Sequence, residues 1–131
     1  MPITTVIPMI AMLLLIGFGV WYSVNNRFPT RGKWILPAIL SVLFLALSLV
    51  ATATGGWLGP LPDHTRNFWG NQVWVDLLLA VGIGWFLVVP QAKKAGMSLL
   101  PWFILIVLTG SIGFTAMIAR LLYLQEKGEL A

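Results

Sequence analysis

Cysteine is absent from the 131 residues, which excludes disulfides, thiolate metal sites and cysteine nucleophiles. Histidine occurs once, at His64. One imidazole builds neither a metal cluster nor a bis-His haem site within one chain, and no HxxxH or ExxH spacing exists. No metal site is therefore expected, and the sequence assigns no cofactor. Charge is also scarce: 9% of the residues are Asp, Glu, Lys or Arg, against about a quarter in soluble domains. A water-facing surface of this size needs those charges. The 59% of hydrophobic residues are therefore assigned to lipid. The eight cations and four anions are scattered in connections and form no basic stripe. That distribution speaks for orientation in a bilayer and against nucleic-acid binding.

Four long apolar runs are present. Residues 3–24 carry no charge, and at 1.5 Å per residue they match a hydrocarbon core of roughly 30 Å. No cation precedes this run and no small-residue cleavage pattern follows it, so it reads as a retained helix and not a signal peptide. The loop NNRFPTRGK comes next, with Pro29 and Gly32 as breakers and Arg27, Arg31 and Lys33 as cations. A second helix is expected over 34–54. Ser41, Ser48 and Thr52 share one of its faces, a pattern that packs against a neighbouring helix in lipid. Residues 55–70 form the longest loop, rich in Gly and Pro. A third helix is expected over 71–89, stopped by Pro90, and a fourth over 99–124, with Ser98 at its N-cap and Pro101 in its first turn. The expected fold class is all-α: a four-helix transmembrane bundle of antiparallel hairpins, forming one integral membrane domain over 1–131.

The cation count sets an orientation. In a four-crossing chain the first and third loops share a side, with Arg27, Arg31, Lys33, Lys93 and Lys94. Arg66, Arg120 and Lys127 fall opposite. The excess predicts both termini outside and the two short loops in the cytoplasm of a bacterial inner membrane.

Three constellations are candidates for chemistry. The first is Asp76, a carboxylate inside the third helix. Such a residue normally faces a bundle interior and finds a partner. It lies on a small and polar face with Gln72, Ala80 and Gly84. The expected fourth helix presents a matching face of Thr109, Gly113, Ala116 and Arg120. Packing of the two faces would bring Asp76 and Arg120 toward one another as an intramembrane ion pair, either fixing register or handling a ligand or proton. The second is the polar cluster Asp63, His64 and Arg66 in the long loop, read as a solvated interfacial segment or an outer-face site. The third is tryptophan. Most of the seven fall near expected helix ends, where an aromatic belt needs no ligand. Trp74 and Trp85 lie further inside and are candidates for contact with an apolar ligand.

The aspartate in VWVDLLLA, the turn ending AKKAGM and the run TGSIGFTAMIARLLYL resemble a family of small bacterial four-helix membrane proteins known as a domain of unknown function. The same features are similar to a plastid membrane family associated with neoxanthin, a carotenoid. The resemblance implies a small four-helix protein and an apolar isoprenoid or carotenoid-like molecule as ligand. Three functions follow as expectations. The chain binds such a ligand between helices, serves as a non-catalytic accessory subunit of a larger membrane complex, or handles protons or transport through Asp76. The expected partners are the bilayer, an apolar small molecule, and other proteins or copies of the chain.

Overall fold

The computed structural model describes residues 1–25, 27 and 31–130; the expected helix breaker Pro29 lies outside them. Every element among the described residues is a helix: α1 (Ile3–Asn25), α2 (Ile35–Gly55), α3 (Pro60–Thr65), α4 (Phe68–Lys94), α5 (Leu99–Thr109) and α6 (Ser111–Leu130). Three of them, α1, α2 and α4, are long and apolar enough to cross a membrane. The chain divides into two compact units, residues 1–30 and residues 31–131.

The first unit is α1. Phe18 stacks on Tyr22 with ring centroids 5.8 Å apart. The Ser23 hydroxyl and the Asn25 amide donate back to the carbonyls of Gly19 and Trp21. Pro8 sits inside the helix, early enough for the lost backbone bond to fall near its first turns.

In the second unit, α2 ends at Gly56, which adopts φ +79° and donates its N–H to the Thr52 carbonyl. The long connection is not irregular throughout. Pro60 starts the short helix α3, where its missing N–H costs nothing. The Asn67 side chain then caps α4 by accepting from the Gly70 N–H at 2.8 Å. Pro90 does not stop α4, which runs on to Lys94; the proline lies on an exposed face. The stop comes at Gly96, φ +78°. Met97 donates to the Ala92 carbonyl and Gly96 to that of Lys93, a Schellman closure. The chain turns back here, and Trp85 meets Phe103 at 5.0 Å between ring centroids. Ser98 occupies the N-cap position of α5 without a side-chain capping bond.

The expected single helix over 99–124 is broken in two. Gly110, at φ +64° and ψ −128°, caps α5, and α6 folds back on it. A Cβ built on Gly113 would lie 3.0 Å from the Leu105 carbonyl and 3.1 Å from the Ile106 nitrogen. In a continuous helix those residues would be about 10–12 Å apart. The return is confirmed at the other end, where the Gln125 amide donates to the Gln91 side chain at 3.2 Å. Consequently α6 runs parallel to α4 and antiparallel to α2. Trp34 meets Tyr123 edge-on at 5.6 Å, and the Ser41 hydroxyl donates to the Ile112 carbonyl at 2.8 Å. A fourth crossing is therefore replaced by a hairpin. Its first arm, eleven residues, is roughly 16 Å long, about half a hydrocarbon core.

The buried apolar core follows from this hairpin. Val88, Ala92, Ile106, Met117 and Leu121 form it, with Val81, Trp85, Trp102 and Phe114 packed against it. Gly84 leaves room for the Phe114 ring, whose Cζ would stand 2.8 Å from an added Cβ. All of this lies in the half of the unit near the Lys93–Lys94 turn, called here the basic end. The opposite half, the far end, holds α3 and the start of α4.

Candidate functional site

A groove opens at the far end, where α3 leans on the first turns of α4. Gly70 permits the approach. A Cβ there would stand 2.5 Å from the Asp63 carbonyl, so any other residue would push α3 away. Two further contacts fix the pair. The Asn71 amide donates to the His64 carbonyl at 2.7 Å, and the His64 ring lies 5.0 Å from the Trp74 ring. The groove between them, about 240 Å³, is lined by Pro60, Leu61, His64, Thr65, Asn71, Trp74 and Val75. Its walls are apolar, and its polar rim is the His64 imidazole with the Asn71 amide. The Thr65 hydroxyl is already used, donating to the Leu61 carbonyl at 2.6 Å.

Two separate expectations thus meet in one place. His64, of the loop cluster, and Trp74, of the ligand candidates, face each other. The rest of the cluster points elsewhere. Asp63 and Arg66 approach to 3.9 Å with side chains about three-quarters exposed, a solvated pair of little energetic weight. Trp85 is not part of the groove. It packs on Phe103 and the buried core, so the two tryptophans do not share a ligand.

Asp76 and Arg120 are not brought together. Arg120 rides down the returning α6 toward the basic end, where its guanidinium stands 5.8 Å from the Tyr123 ring centroid. Asp76 lies eight residues before Gly84, about 12 Å nearer the far end. The expected pairing relied on a straight fourth helix to raise Arg120 to that level. Asp76 is exposed, and no hydrogen bond or ion pair of its carboxylate occurs among the described residues.

The residues that sequence reasoning missed lie at the basic end. Tyr123 is flanked by Arg120 and by Lys127, whose ammonium is 5.0 Å from the ring centroid. Trp34 closes its edge, and Glu126 accepts from the Gly32 N–H at 3.0 Å. The signal was the i, i+3, i+7 spacing of Arg120, Tyr123 and Lys127, which puts them on one helix face. This also changes the cation balance. Arg120 and Lys127 join Arg31, Lys33, Lys93 and Lys94 at one end of the unit, and Arg66 is left at the other.

Compared with protein families, curated proteins and solved structures, the chain matches none of them.

Proposed function

We propose that the chain is a small, non-catalytic integral membrane protein. It holds the head end of an isoprenoid-class amphiphile in the His64–Trp74 groove. The observation that carries this reading is the juxtaposition of a half-buried imidazole and an indole face over an apolar wall, at the end of a membrane-length helix. A hydroxyl or carbonyl head would bond to His64 and Asn71, and the first apolar units would lie on Leu61, Trp74 and Val75. The volume restricts the ligand. Sites that engulf a drug-sized molecule run about 300–1,000 Å³; this one is smaller and open-sided. It accommodates a head and the beginning of a chain, with the remaining tail in lipid. The isoprenoid class is taken from the family resemblance, and the amphipathic character from the groove.

The cation clustering supports an orientation with the basic end on the cytoplasmic side of a bacterial inner membrane, and the returning α6 takes its own end there too, in place of the outside C-terminus expected from four crossings. In that frame the groove sits at the outer interface. The exposed Trp57, Phe68 and Trp69 around it act as interfacial anchors.

A photoreactive isoprenoid alcohol, added to the protein in lipid nanodiscs, tests the reading. Label is expected on the peptide spanning residues 60–75 and to be competed by unlabelled isoprenoid alcohol. Trp74→Ala and His64→Ala should each reduce it at least fivefold. Equal labelling along α1 and α2, or labelling indifferent to both substitutions, would reject the groove as the site.

A further inference from the structure

The outer face of α4 carries a different signal. Val81, Trp85, Val88 and Ala92 face the hairpin core. At 100° per residue, Asp76 lies roughly 140° around the helix from Val81. Its neighbours on that face are Gln72, Ile83 and Leu87, the last two 62% and 61% exposed. If Lys93 and Lys94 mark the basic boundary, a 30 Å hydrocarbon layer reaches up to about Gln72. Asp76 then sits roughly 6 Å inside it, a bare carboxylate on an apolar surface.

Among the described residues of the second unit, no cation forms an ion pair with it. Residues 1–25 contain no Lys or Arg, and Arg27 is tied by four residues to Arg31 at the basic end, a reach of about 14 Å against the roughly 25 Å from Lys93 to Asp76. Among the described residues Arg66 is the one cation at the far end of the second unit; it approaches Asp63 at 3.9 Å and forms no ion pair with Asp76. All the others of that unit gather at the basic end. A second copy side by side does not help, because a parallel two-fold places Asp76 opposite Asp76 and leaves the cations at the wrong depth. Carboxylates at such positions are retained where a partner neutralises them.

We propose that the Gln72–Asp76–Ile83–Leu87 face of α4 is a docking seam for a transmembrane helix of a different protein, one that presents a Lys or Arg at the depth of Asp76. The apolar residues below Asp76 pack against that helix, and the ion pair fixes its register. This proposal does not depend on the groove, which opens on another face of α4.

The test is solubilisation of native membranes in mild detergent, with particle size and partner identity read for wild type and variants. The wild type is expected to run with a partner whose membrane helix contains a basic residue. Asp76→Asn and Asp76→Lys should weaken that association on the order of 100-fold, as when one member of a desolvated pair is left behind. Exchanging the partner's basic residue for Asp should restore association with the Asp76→Lys chain. A Gln91→Cys/Gln125→Cys crosslink, formed equally in every variant, reports that the hairpin remains folded. A lone or self-associated wild-type particle overturns the proposal. So does full association of Asp76→Asn, which would mean the charge takes no part in the contact. Loss without rescue by the charge exchange overturns the pairing as well.

Discussion

The reversal at Gly110 can be tested directly, because the chain contains no cysteine to interfere. In the hairpin, the side chains of Gln91 and Gln125 touch at 3.2 Å. If α5 and α6 were one straight helix, residue 125 would stand twenty-six residues beyond Leu99, roughly 39 Å along the axis. Gln91 lies within about one turn of the α4–α5 connection, so the two positions would then be more than about 30 Å apart. A Gln91→Cys/Gln125→Cys chain should therefore close with a short bifunctional reagent. A Leu77→Cys/Ala116→Cys chain, level only in a straight hairpin of α4 with a continuous helix, should not.

Gly110 sets the margin. Its φ of +64° with ψ −128° is open to glycine and costs an L-residue about 1–3 kcal/mol. Gly110→Ala should thus shift the balance between folded-back and straight forms by roughly 5–150-fold. Adding Gly113→Ala removes a second permission, since the new Cβ would meet the Leu105 carbonyl and the Thr109 hydroxyl at 3.0 and 2.7 Å. The Gln91/Gln125 crosslink should slow in the single variant and be lost in the double one. Closure of the Leu77/Ala116 pair in the unaltered background, with failure of Gln91/Gln125, would refute the hairpin and every placement that depends on it.

Met117 is fully buried in the core, so Met117→Ala leaves a cavity. The expected loss is about 2 kcal/mol, the low end for such truncations because lipid replaces water as the reference, read as an earlier transition in a detergent-unfolding titration. Ser41→Ala should cost less, about 0.6 kcal/mol by the same titration. The Ile112 carbonyl also accepts from the Thr115 hydroxyl at 3.1 Å and is not left bare.

Hydropathy made the long helices legible, and it did so for a physical reason: a run of twenty apolar residues has few other ways to satisfy its backbone in lipid. Boundaries and breaks were harder. Pro90 looked like a stop because proline removes a helix bond and crowds the previous turn; on an exposed face with α4 already established, the helix absorbs it. The break at Gly110 was hidden by its surroundings. Thr109, Gly113 and Ala116 step correctly along one face, and that face suggested close packing. Close packing does occur, but Gly113 meets Leu105 and Ile106 of the preceding arm instead of α4. The triplet Thr109-Gly110-Ser111 carried the missing signal, a C-capping glycine followed directly by a residue suited to start the next helix.

The hairpin also explains why the candidate sites lie where they do. A returning arm of about half the membrane depth packs the basic half of the second unit and leaves the far half without a core. Among the described residues, the buried apolar side chains come from Val88 and Ala92 of α4, Ile106 of α5, and Met117, Ala119 and Leu121 of α6. None comes from the first twenty residues of α4. That stretch is nevertheless continuous helix, anchored below by the core and capped above by Asn67 and α3. A capped helix with unspent surface on two sides suits recognition: His64 and Trp74 occupy one side, Asp76 the other. The same division separates structural from functional substitutions. Changes at Gly84, Ile106 or Met117 should be felt as stability, whereas changes at Trp74 or Asp76 should leave the Gln91/Gln125 contact intact and be felt in what the far half binds.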